Sequence, residues 1–358
     1  MLFDPLNTPS LQLANRVVMA PMTRSRAVDA NTPNALMAEY YGQRASAGLI
    51  ITEGTSPSPN GLGYARIPGL FNDEHVRGWR MTTDAVHARG GKIFVQLMHT
   101  GRVSHVLNLP AGSKVVGPVA LACPGEMHTD AHGMLAHSTP QAMSESDIAL
   151  AVQEFATSAK LAIDAGFDGV ELHAANGYLI EQFLNANVNL RMDGYGGDIA
   201  GRNRFALEVA RAVVKAIGED RVGIRLSPYG VFNSTGPFAD VEAQYLALTQ
   251  ELSELGLLYV HLLDHSAMGA PPVPSELKFL LREAFDGLFI LAGGFDRAAA
   301  EQAIAAGRAD LIAFARPFIG NPDLVTRMQT SASLNAIDMS TFYTPGAQGY
   351  VDYPALTT

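Results

Sequence analysis

Val170-Glu171-Leu172-His173-Ala174-Ala175-Asn176-Gly177-Tyr178 runs from an apolar, strand-like segment into a small-residue turn carrying an imidazole, a carboxamide and a phenol. A near-continuous apolar run is what a strand covered on both faces requires, so the polar side chains collect at its exit. His173 and Asn176 are two hydrogen-bond donors for a carbonyl oxygen. Tyr178, two residues on, is an acid of high pKa able to deliver a proton. The stretch is suited to polarising a carbonyl.

Outward from it, similar β-branched runs recur at residues 16–20, 48–53, 92–97, 222–227, 259–263, 288–293 and 311–316, making eight with 169–173. Segments of helical period alternate with them at 34–46, 73–89, 145–165, 202–217, 241–255 and 297–306. Ser144 can cap the third of these, with Asp147 in its first turn. Strand alternating with helix in this way predicts an α/β fold, a single (β/α)₈ TIM barrel spanning residues 1–358. An open doubly wound sheet shares the periodicity. Residues 98–143 form a long insertion after the third strand, expected to act as a lid or binding wall.

At 358 residues and 47% hydrophobic, the chain buries a large core. A net charge of −10 argues against nucleic-acid and anionic-membrane partners, which need clustered Lys and Arg. Cys123 stands alone, so an intrachain disulfide and a multi-cysteine metal cluster are excluded, in keeping with a reducing cytoplasm. Residues 1–16 lack a secretory pattern, and no apolar run is long enough to span a membrane. The expectation is a soluble, cytoplasmic protein acting on small molecules.

Polar residues converge at the strand exits: Thr23 after the first, Gln96 at the third, His173 at the fourth, Arg225 in the fifth, Arg316 at the eighth. Singly, each can satisfy backbone groups in a core. Arg225 is the hardest to place so, because a buried guanidinium is costly unless an anion or carbonyl-rich ligand meets it. Gly293 and Gly294 ahead of a helix, with Arg316, make a phosphate site of the kind barrels place after strands seven and eight. No Gly-x-Gly-x-x-Gly follows a strand, so a Rossmann site is not indicated.

The chain resembles the old yellow enzyme family of FMN-dependent ene-reductases from Leu2 to Pro354. The resemblance is carried by residues 19–24, 95–97, 171–178 and 189–197 with Arg202, and by Phe342-Tyr343 ahead of Gly349-Tyr350. It implies non-covalent FMN at a barrel mouth, with Pro21, Met22, Thr23, Gly54, Gln96 and Arg225 around the ring. Gly293, Gly294, Ala315 and Arg316 would hold its phosphate, and residues 331–358 would pack near the flavin. Thr23, cysteine in another branch, is similar to the classical branch. His173 and Asn176 would grip the carbonyl oxygen of an activated alkene while Tyr178 protonates its α-carbon, giving trans addition of hydrogen. NADPH or NADH would supply hydride, and the chain would act as a monomer or homodimer on enones, enals, maleimides, nitroalkenes or nitrate esters. Tyr64, Met98 and Tyr343 match pocket positions; Met98, tryptophan in many bacterial relatives, implies a roomier wall.

Two other readings remain open at this stage. Histidines at 128, 132 and 137, and His261 with Asp264 and His265, suggest a metal-dependent barrel hydrolase or aldolase, although no metal ligands are assigned. A non-catalytic flavin-binding protein would keep the phosphate site alone.

Overall fold

The computed structural model describes residues 1–357. Among them, eight parallel strands close into a barrel: Val17–Met19, Leu49–Thr55, Ile93–Leu97, Gly169–Ala174, Val222–Leu226, Tyr259–Leu263, Leu288–Ala292 and Leu311–Phe314. All but the partly covered Leu288 are buried, as the continuous apolar runs predict. Closure, which periodicity could not distinguish from an open sheet, is supplied by pairing of the eighth strand with the first.

Register decides which polar side chains meet. Glu171 pairs with Gln96, His173 with Arg225, and Arg225 with His261, so five polar residues lie on four adjacent strands. An irregularity between Ile51 and Gly54 in the second strand re-aims the chain so that Gly54 sits opposite Gln96.

The outer helices follow the predicted periods, with no end shifted by more than three residues. Ser144 forms a reciprocal capping box with Asp147 at the start of Glu145–Asp164. Trp79, on Asp73–His87, is fully buried against Tyr41 and Phe167; truncating it to alanine would cost about 3–5 kcal/mol. The insertion pairs Val116–Gly117 with Gln141–Ala142 and carries a hairpin, Glu126–Thr129 with Gly133–Ala136.

One boundary is corrected. The eighth strand stops at Phe314, and Arg316 opens a short helix, Arg316–Gly320, because Pro317 favours the first helical turn. Gly293 likewise lies just beyond the seventh strand.

The C-terminal segment is tied down from the first strand's exit. Arg24 donates to the carbonyls of Phe342 (3.1 Å) and Gly349 (2.7 Å). Arg26 donates to those of Thr341 (2.7 Å), Phe342 (2.6 Å) and Gln348 (3.0 Å). Tyr350 stacks on Tyr40 at 4.0 Å. No helix among the described residues is long and apolar enough to cross a membrane.

Candidate active site

After the fourth strand the backbone enters the left-handed region at Asn176 (φ 60°) and Gly177 (φ 75°), then turns into the helix Leu179–Leu184. The turn is held on all sides. Asn176 N–H donates to Ser227 Oγ (3.0 Å), Gly177 N–H to Glu181 Oε2 (2.6 Å), and Asn233 Nδ2 to the Asn176 carbonyl (2.7 Å). Gln182 Nε2 donates to the Gly177 carbonyl at 2.8 Å. The backbone is thus satisfied by the scaffold, whereas His173 Nδ1 and Asn176 Oδ1 are buried with no protein partner. Native interiors seldom leave such atoms orphaned unless a ligand meets them.

Tyr178 stands beside this pair, its ring edge-on to His173 at 4.9 Å and its hydroxyl 3.1 Å from that of Tyr64. Burial, opposed by the Tyr64 hydrogen bond, pushes its pKa up, so the phenol is kept protonated. Burial and then the Arg225 charge push His173 well below the usual imidazole range, so its ring is neutral. A neutral imidazole, a carboxamide and a protonated phenol therefore stand on one turn.

The floor beside them is made by neighbouring strands. Gln96 donates from Nε2 to Glu171 Oε1 at 2.8 Å. Arg225 is 5% exposed and its Nε has no partner; it forms no ion pair among the described residues. The Met98 side chain packs against Gly54, and a Cβ there would force it to move. Pro21, Met22 and Thr23 follow the first strand, and the next residue is anchored by Arg24 N–H on Glu53 Oε2 (3.1 Å).

The residues expected to hold a phosphate follow strands seven and eight. Gly293 (φ 129°) and Gly294 (φ 70°) adopt conformations that other residues resist, and a Cβ on Gly293 would strike the Asp264 carbonyl. Asp264 is itself fixed by Ser266 N–H (2.8 Å) and Lys278 Nζ (2.5 Å). Arg316 is exposed, with only Met268 Sδ near it at 3.6 Å.

Residues 1–335 match the NADH:flavin oxidoreductase / NADH oxidase family. The chain belongs to that family. It is 43% identical to chanoclavine-I aldehyde reductase of Penicillium roqueforti, covering 98% of this chain and 95% of that one. It is 41% identical to a probable flavin mononucleotide-dependent alkene reductase of Leishmania infantum, covering 99% and 97%. An old yellow enzyme homologue from Zymomonas mobilis superposes with a TM-score of 0.95 at 38% identity, over 99% of both chains. The protein is thus an oxidoreductase of the old yellow enzyme family, with FMN as cofactor and a nicotinamide as hydride donor.

The residues present fit FMN. The orphaned Arg225 guanidinium suits an electron-rich carbonyl edge, and the Gly293-Gly294 turn with Arg316 suits a phosphate. Tyr64 reaches Tyr178, but the other two pocket positions differ from a simple wall. Met98 is 1% exposed, packed with Leu62 and Ile67, and Tyr343 is 61% exposed with its carbonyl held by Arg66 (2.9 Å). Of the suggested metal ligands, His261 is taken by Glu171 and Asp264 by Lys278. Among the described residues, no three His, Cys, Asp or Glu side chains are grouped to hold an ion.

Sequence reasoning overlooked the supports of the turn, Glu181, Ser227 and Asn233, and gave Glu171 no role. A glutamate inside the otherwise apolar Val170-Glu171-Leu172 was the available signal.

Proposed function

We propose that this protein reduces the carbon–carbon double bond of α,β-unsaturated carbonyl compounds. One observation carries the reading: His173 keeps a buried ring nitrogen, Nδ1, without a protein partner, and its ring lies edge-on to a protonated Tyr178. Bound FMN would supply hydride to the substrate and be recharged by NADH or NADPH. Pro21, Met22, Thr23, Gly54, Gln96 and Arg225 would hold its ring, and Gly293, Gly294, Ala315 and Arg316 its phosphate.

His173 and Asn176 would hold the substrate's carbonyl oxygen. Negative charge grows on that oxygen as the β-carbon is reduced, so fixed donors there stabilise the transition state more than the bound substrate. Tyr178 would give its proton to the α-carbon, with Tyr64 orienting its hydroxyl. The related chanoclavine-I aldehyde and alkene reductases support this substrate class.

Anaerobic stopped-flow spectroscopy tests the reading. NADH or NADPH should bleach the flavin, and cyclohexenone, a maleimide or a nitroalkene should restore its colour. Bleaching without recolouring by any of them would leave a flavin-binding protein and refute the reductase.

A further inference from the structure

Beneath the proposed ring site lies a buried acid with no part in the steps above. Glu171 and His261 are both 0% exposed. Glu171 Oε1 accepts from Gln96 Nε2 and its Oε2 faces His261 Nδ1, each at 2.8 Å. Burial lowers the pKa of His261, so a neutral ring donates its Nδ1 proton to the carboxylate. Both carboxylate oxygens are therefore engaged, and neither contact is with a cation.

The positive charge that answers Glu171 is Arg225, on the strand between those of Glu171 and His261. The two make no ion pair, yet among the described residues Glu171 is the carboxylate that acts on Arg225, opposing the effect of burial. Opposite charges in a low-dielectric interior interact without touching. Gln96 adds a second link: with Nε2 committed to Glu171, its amide oxygen is left as the free acceptor.

We propose that Glu171, held by His261, sets the reduction potential of bound flavin by offsetting Arg225 and fixing the Gln96 amide. It is a positioning residue, and this inference rests on the FMN-binding reading above. Arg225 alone would favour the reduced, negatively charged form of FMN; Glu171 restrains that preference.

The test is a dye-equilibrated redox titration of the FMN-bound protein. Glu171→Gln keeps the side chain's shape and removes its charge, so the midpoint potential should move positive. By linkage, reduced FMN should then tighten over oxidised FMN by about tenfold relative to wild type. Glu171→Asp keeps the charge and should stay near the wild-type potential. His261→Leu strips the carboxylate of a donor, leaves more of its negative charge to act on Arg225, and should move the potential negative, opposite to Glu171→Gln. If Glu171→Gln does not fold, the other two variants still decide, one moving and the other not.

A Glu171→Gln protein that holds FMN at the wild-type potential overturns the inference alone. So does a Glu171→Asp protein shifted as far as Glu171→Gln. A wild-type chain that binds no FMN overturns both this inference and the reading beneath it.

Discussion

Tyr178 owes its proposed role to its surroundings. Burial raises its pKa and Tyr64 sits 3.1 Å from its hydroxyl, so at neutral pH it is an acid waiting for a base. Tyr178→Phe should slow recolouring of reduced flavin by an enone by about 10²–10⁴-fold and leave bleaching by the nicotinamide nearly unchanged. Equal slowing of both phases would place the proton donor elsewhere. His173 allows a second expectation. Burial and Arg225 hold its pKa well below the ordinary value, so the neutral ring persists as pH falls through the range where a free imidazole titrates, about 6.5. The recolouring rate should be flat there; a step centred near pH 6.5 would mean a solvated, titrating histidine. Met98 offers a third. Because it is fully packed over Gly54, Met98→Trp should overfill the site and lower stability by about 1–3 kcal/mol, read as a reduced urea midpoint.

The turn between the fourth strand and the Leu179–Leu184 helix shows how an element can be readable while its supports are not. Its apolar strand and its His, Asn and Tyr are consecutive in the sequence, so pattern and chemistry coincide. Glu181, Ser227 and Asn233 reach it from a six-residue helix and from positions 51 and 57 residues further along the chain than Asn176, too far for a local pattern to link them. The same limit explains why Arg316–Gly320 and Leu324–Thr330 leave no helical signal: five and seven residues are too few to show a 3.6-residue repeat. Glu181 is the central strut, bonded to Gly177 N–H and, through Ser227, to Asn176 N–H. Glu181→Ala should let the turn relax from its left-handed conformation, raising KM for the enone and slowing recolouring by about 10–100-fold while FMN stays bound. An unchanged enone KM would show that the turn holds its shape without the strut.

At the scale of the whole molecule, the barrel was legible because eight strands buried on both faces demand eight apolar runs, whereas its interior titration behaviour depends on contacts that only folding creates. Burial depresses the pKa of His99 to about 3, and burial with Arg225 depresses that of His265 to about 4. His75, His137, His173 and His261 are lowered as well. These rings take up protons less readily in the fold than in the unfolded chain, which does so below about pH 6.5, so the unfolded state binds more protons and stability falls as pH drops below that value. Glu53 and Glu181 act oppositely: burial raises both to about 7, so the fold holds their protons where the unfolded chain releases them, and acidification from 7 to about 4.5 favours the fold. Burial raises Glu154 as well, so six histidines stand against three carboxyls, and the balance is a net loss on the acid side. The urea midpoint should therefore be lower at pH 5 than at pH 7, and His99→Asn should reduce the difference while Glu53→Gln enlarges it. A midpoint that stays level or rises on acidification would mean that water reaches these rings in the folded protein.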